Sequence, residues 1–318
     1  MIAGSNLERL LRAGKFVVTA ELGPPNAADR TVVEKKAALL KGYADAFNVT
    51  DCQTSVVRMS SIASAVILME AGLEPVVQMT CRDRNRIGLQ SDLLGAAALG
   101  MKNLLCLTGD HPKFGDHPTA KPVFDLDSVQ LLHMVKTMRD EKRLLSGTEI
   151  AVGPRFFLGA AENPFAGTID IRARRLAKKM AAGAEFFQTQ IVYNVEKFTA
   201  WMKAVRDMGL HKKAFILAGV APLKSPGMAR YMKQNIPGMD VPDEIIARMK
   251  EKKSKEEGIQ ICLDIIEQLR DIEGVAGVHI MAIEWEEIVP EIVERAGLLP
   301  RPAPESSRNP VYLLDKIL

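Results

Sequence analysis

Eight short apolar runs punctuate the chain, at residues 15–21, 45–50, 74–80, 103–108, 155–159, 186–191, 213–219 and 277–283. Each is rich in Val, Ile, Leu and Phe and ends at a polar residue, a glycine or a loop. Being apolar on both faces, they read as strands of a parallel sheet covered on both sides. Helical windows at 30–43, 59–71, 85–99, 128–143, 171–182, 195–208 and 256–270 fill the gaps. A parallel pair needs a crossover of this length, and a helix supplies it. Eight such units predict an α/β fold, a closed (β/α)8 TIM barrel, with its chemistry on the loops after the strands. More than fifty residues separate the last two runs. An extra helical insertion is therefore expected there, punctuated by Pro-Gly-Met-Asp-Val-Pro at 237–242 and followed by a Lys/Glu-rich stretch that reads as a solvated helix face.

On this reading residues 1–298 form one catalytic barrel and 299–318 a Pro-rich tail ending in an apolar Val-Tyr-Leu-Leu segment. Hydrophobic residues make up 47% of the chain, enough for a large core, but no uncharged run is long enough to span a membrane. The opening residues carry charges where an export signal needs an apolar centre, which predicts a cytoplasmic location. The 42 Lys and Arg against 39 Asp and Glu are spread evenly, so no nucleic-acid surface is indicated. Cys52, Cys81, Cys106 and Cys262 lack metal-ligand spacing and read as reduced, structural residues. No metal site is expected, since His111 and His117 have no third imidazole nearby. Nor does any glycine cluster follow a strand in the GxGxxG pattern of a dinucleotide fold.

The predicted strand ends bring distant residues to one rim: Glu21, Thr50 with Asp51, Thr80 with Arg82, Asp110, Gly159, Gln190 and Glu284. Glu21 ends an apolar strand before a stiff Gly-Pro-Pro turn. It reads as a general acid or base tuned by partial burial, or as a carboxylate paired with a rim arginine. Asp110 follows Gly109, which lets the backbone approach a ligand closely; Asp110 and Asp51 each read as a ligand contact or a turn aspartate. Gln190 carries an amide suited to a heterocycle edge or to a neighbouring strand.

Three motifs fall in order on three strands: Glu-x-x-Pro-Pro from Glu21, Gly-Asp-x-Pro from Gly109, and Thr-Gln-x-x-x-x-Val-Glu from Thr189. With them the chain resembles the methylenetetrahydrofolate reductases from about Lys15 to Leu298. The resemblance implies a flavin-carrying barrel that reduces 5,10-methylenetetrahydrofolate to 5-methyltetrahydrofolate by hydride transfer from reduced flavin. It casts Glu21 as the general acid, Asp110 as the aspartate near flavin and folate, and Gln190 as a folate-contacting amide. Thr50, Asp51, Thr80, Gly109, Gly159 and Asn163 fall in the implied flavin site, and Lys179 near the cofactor's phosphates. Thr108, Gln78, Asn163 and Gly159 stand where the better-known bacterial pattern has arginine, histidine, histidine and tyrosine, so the implied cofactor is FAD with FMN as the alternative. Arg82, Arg84 and Arg86 could replace lost phosphate contacts, or lie on a solvated loop. Ala-Ile-Glu-Trp-Glu after the last strand replaces a folate-contacting arginine segment. The expected electron donor is NAD(P)H or a redox partner protein, and the expected assembly a homo-oligomer or a subunit of a larger complex. Two rivals remain: a barrel subunit that does not use NAD(P)H directly or catalyses nothing itself, and a flavin-free barrel lyase using Glu21, Asp51 and Asp110.

Overall fold

The eight runs pair in parallel, in chain order, and the first strand closes on the last. The computed structural model describes residues 1–252 and 254–302. The strands are β1 (Val17–Leu22), β2 (Ala46–Val49), β3 (Pro75–Thr80), β4 (Asn103–Leu107), β5 (Phe157–Glu162), β6 (Phe186–Ile191), β7 (Phe215–Val220) and β8 (Val275–Ile280). The helices are α1 (Asn6–Arg12), α2 (Arg30–Leu40), α3 (Ser61–Glu70), α4 (Arg86–Ala98), α5 (Ser128–Asp140), α6 (Ile169–Ala181), α7 (Val195–Asp207), α8 (Pro226–Asn235), α9 (Asp243–Lys252), α10 (Lys255–Arg270) and α11 (Val289–Arg295). Several start where a side chain satisfies the open N–H groups of the first turn, as Asp29, Asn85 and the Asp127–Gln130 capping box do.

The expected insertion is α8 to α10, with 237–242 joining α8 to α9. Its Lys/Glu-rich stretch is not simply a solvated face: α9 buries Ile246 and Met249, and buried Glu257 takes Arg248 and Lys252 as ion-pair partners. In the tail expected at 299–318, the Arg301 guanidinium bonds Asp45 and the carbonyl of Phe16 at the lower end of the barrel; residues 303–318 lie outside the described residues. No helix among the described residues is long and apolar enough to cross a membrane.

Side chains alternate in and out along each strand. The inward positions stack in three levels. At the lower end Val17, Ala46, Val76, Leu105, Phe157, Phe186 and Leu217 cluster with Leu7, Leu10 and Leu11 of α1. Helix α1 thus stops the bottom of the barrel, a role the charged opening of the chain does not advertise. Glu74 accepts the N–H groups of Asn6 and Leu7, fixing the helix start to β3. The middle level is polar: Thr19, Asn48, Gln188 and His279 are all buried. Above it the barrel opens.

Two strand ends differ from the pattern. Gly159 does not end a strand; it sits inside β5, opposite Leu105 and Phe186. A β-carbon there would lie 2.2 Å from the Phe186 ring, so the glycine makes room for core packing. β8 ends at Ile280, and the apolar residues after it begin the loop that carries Glu284.

Candidate active site

A cavity of ≈ 430 Å³ opens at the C-terminal end of the strands. Its floor is the middle level. Asn48 and Gln188 exchange two amide hydrogen bonds (2.6 and 2.9 Å), and Gln188 Nε2 also donates to Thr19 Oγ1 (3.1 Å). Thr19 Oγ1 in turn lies 2.9 Å from His279 Nδ1. Burial disfavours the imidazolium and pushes His279 down to about 3, so this ring stays neutral.

Glu21 stands one inward position above Thr19 on β1 and lines the cavity. Burial, then the nearby Glu286 carboxylate, raise its pKa to about 7, while a hydrogen bond with the Gln53 side chain opposes them. A carboxyl that still carries its proton near neutrality can serve as a general acid. Asp110 lines the same cavity from the loop after β4. Gly109 before it has φ +92°, and a β-carbon there would press on Thr80 and Arg82 at 3.0–3.1 Å. Only glycine takes that turn without strain. Ser55 Oγ donates to the Asp110 carbonyl (2.7 Å), tying the β2 and β4 loops together. Gln190 also lines the cavity, its Oε1 accepting the N–H of Ile191 (2.9 Å).

Other expected site residues come together but are engaged with each other. Asp51 accepts the N–H and hydroxyl of Thr80 (both 2.9 Å) and the guanidinium of Arg84 (2.8 Å). Arg82 holds Asp83 and Ser55 Oγ, and Arg86 makes a two-point pair with Asp125. The arginine trio therefore braces loops and does not present open guanidinium groups to a phosphate. Lys179 is buried with Glu162 (3.0 Å) and bonds the carbonyl of Ala161 (2.5 Å). Burial lowers its pKa, and the Glu162 charge counteracts that. Asn163 lines the cavity, with its Oδ1 accepting the N–H of Phe165 (3.0 Å).

Thr50, Gly159 and Glu284 are the exceptions to the expected rim. Thr50 is buried after β2, Gly159 packs lower in the barrel, and none of the three lines the cavity. The sequence reading also missed Arg172 and Arg175, which face the cavity from α6 together with Lys179. Their spacing of three and four residues puts them on one helix face, a signal that was legible. Arg172 Nε is buried without a hydrogen-bond partner among the described residues. Among those residues no group of three His, Cys, Asp or Glu side chains could hold a metal ion; His117 instead pairs with Asp116.

Fold and site together define the class: a (β/α)8 barrel with its ligand cavity at the C-terminal mouth, lined by a proton-holding carboxyl, a second acid and a basic helix face. The chain belongs to the methylenetetrahydrofolate reductase family, whose model matches residues 6–297. It is 27% identical over 243 residues to methylenetetrahydrofolate reductase 2 of Schizosaccharomyces pombe, covering 70% of this chain and 36% of the relative. A probable methylenetetrahydrofolate reductase (NADPH) of Caenorhabditis elegans is 22% identical, covering 82% of this chain and 39% of the relative. Methylenetetrahydrofolate reductase 2 of Saccharomyces cerevisiae is 24% identical, covering 94% and 48%. The chain thus spans less than half the length of these relatives. An uncharacterized protein from Clostridium thermocellum that binds two copies of 5-methyl-5,6,7,8-tetrahydrofolic acid shares the fold. Its TM-score is 0.66 at 13% identity, over 92% of this chain and 100% of that one.

Proposed function

We propose that this chain is the catalytic barrel of a flavin-dependent methylenetetrahydrofolate reductase. The observation that carries the reading is Glu21: a carboxyl held protonated near neutrality, in one cavity with Asp110 and Gln190, in a chain of this family. Glu21 donates its proton to the bridging nitrogen of 5,10-methylenetetrahydrofolate, and the five-membered ring opens to an iminium cation at N5. Asp110 supplies negative charge to the same cavity and stabilises that cation. Gln190 offers its amide to the pterin edge. Hydride reaching the iminium carbon completes 5-methyltetrahydrofolate; a reduced flavin, when bound, would supply that hydride and be oxidised by its loss.

One feature supports a flavin in the cavity. Arg172 Nε has no hydrogen-bond partner among the described residues, and with Arg175 it gives α6 a cationic face for phosphate oxygens. We assign the diphosphate of FAD to Arg172 and Arg175, while Lys179 is already held by Glu162. The folate bound by the Clostridium thermocellum protein of the same fold favours a folate substrate here. Thr50 and Gly159 have no part in this reading.

The test is the absorption spectrum of the purified protein, mass analysis of the released flavin, and reoxidation of the reduced protein by methylenetetrahydrofolate under anaerobic conditions. A yellow protein reoxidised by the folate supports the proposal; a colourless one, or one indifferent to folate, overturns it. Mixing with NADH and NADPH then separates donors: bleaching indicates a nicotinamide, and folate turnover after chemical reduction alone indicates a partner protein.

A further inference from the structure

The structure pins the loop after β8 from two sides. Lys224, after β7, donates to the carbonyl of Glu284 (2.9 Å), and Glu284 itself takes the left-handed backbone conformation at φ +49°. From the other side Lys36, on α2, reaches across to Glu286 and makes an ion pair with it. The same ammonium donates to the carbonyl of Gly23 (2.9 Å). Gly23 lies two residues beyond Glu21, at the start of the Gly-Pro-Pro turn.

One lysine therefore ties the loop carrying the acid to the loop carrying a second carboxylate. β1 and β8 are hydrogen-bonded neighbours, so the two loops leave the barrel side by side. We propose that Lys36 and Glu286 are positioning residues: a charged clasp that fixes the β1 turn and sets the electrostatic surroundings of Glu21. The proposal rests on Glu21 being the acid of the reaction described above.

The charges around Glu21 leave Glu286 as the one to adjust. From β2, Asp51 is bonded to Arg84 and Thr80, and the Gln53 amide is neutral. From β3, Arg82 is tied to Asp83. From β8, His279 stays neutral. Across the cavity stand Asp110, the Glu162–Lys179 pair and the two α6 arginines. Of the carboxylates it is Glu286 whose field acts on Glu21. Lys36, paired with Glu286, places the opposite charge beside that carboxylate.

The signature is a pair of opposite shifts. Lys36→Met leaves the Glu286 charge uncompensated, so the alkaline limb of turnover, where the acid loses its proton, moves up by roughly half to one pH unit. Glu286→Gln leaves the cation alone beside the turn and moves the limb down by a similar amount. The double substitution returns it close to the parent. Broken packing would move both single variants the same way, and a loop that merely loosened would lower turnover without displacing the profile.

The second readout needs no turnover. The Glu21 carboxyl, recognised in infrared difference spectra by its loss in Glu21→Gln, is titrated in the folate-free protein of each variant. Opposite displacements of its midpoint support the clasp; coincident midpoints, or displacements of one sign, overturn it. Should Glu21→Gln keep normal turnover, the acid assignment falls, and the infrared titration still decides the clasp.

Discussion

The two ends of the barrel are built from the same eight strands, yet they are filled in opposite ways. At the lower end Phe157 and Phe186 stack with ring centroids 4.9 Å apart, and three leucines of α1 complete a dry cluster. Four residues further along β1 and β6, the same inward face carries Glu21 and Gln190 and meets the cavity. Between them the Thr19–Gln188–Asn48–His279 level separates core from site, each group hydrogen-bonded so that its burial is not costly. Stability and chemistry are thus laid out along one axis, and substitutions at the two ends should separate them.

The largest effect is expected at the mouth. Glu21→Gln should keep the fold and any bound flavin while slowing folate-dependent reoxidation by about 10²–10⁴-fold, the range of a lost general acid; near-parent rates in stopped-flow would remove its role. Next comes the buried pair. Glu162→Gln strands the Lys179 ammonium, and urea unfolding should show a loss of about 3–5 kcal/mol, whereas replacing both partners with apolar residues should cost much less. At the lower end Leu10→Ala should cost about 2–5 kcal/mol and leave turnover per folded molecule at the parent level. A fall in turnover matching that of Glu21→Gln would show that the ends are not separable.

The smallest effect is in pH dependence. Glu21 binds its proton more tightly in the folded state, at about 7 against the ordinary 4.5. Its contribution is therefore present below pH 4.5 and lost as pH rises through 7. Thermal melts should find Glu21→Gln gaining on the parent between pH 5 and 8, by on the order of 2 kcal/mol. His279 acts in the other sense. Its pKa is depressed to about 3 from 6.5, so its contribution holds above pH 6.5 and fades as pH falls.

Strands covered on both faces announce themselves as solid apolar runs, which is why all eight were legible together with the order in which they close. Glycine misled at one of them. Gly159 looked like a terminus because a missing side chain says nothing about whether a loop or the Phe186 ring occupies the space. Helix α1 was hidden because Glu8, Arg9 and Arg12 mask the spacing of Leu7, Leu10 and Leu11. In the site, Glu21, Asp110 and Gln190 stood out because polar groups ending apolar strands are conspicuous. Their partners did not. Lys36 and Glu286 are 250 residues apart, and Asp51 meets Arg84 only after β2 and β3 pair. No local pattern encodes such meetings, so the residues that hold the site in place appear only in three dimensions.

The leucine stopper of α1 also governs traffic. A tube corked at its base has a single doorway, and whatever is admitted must depart by the way it came.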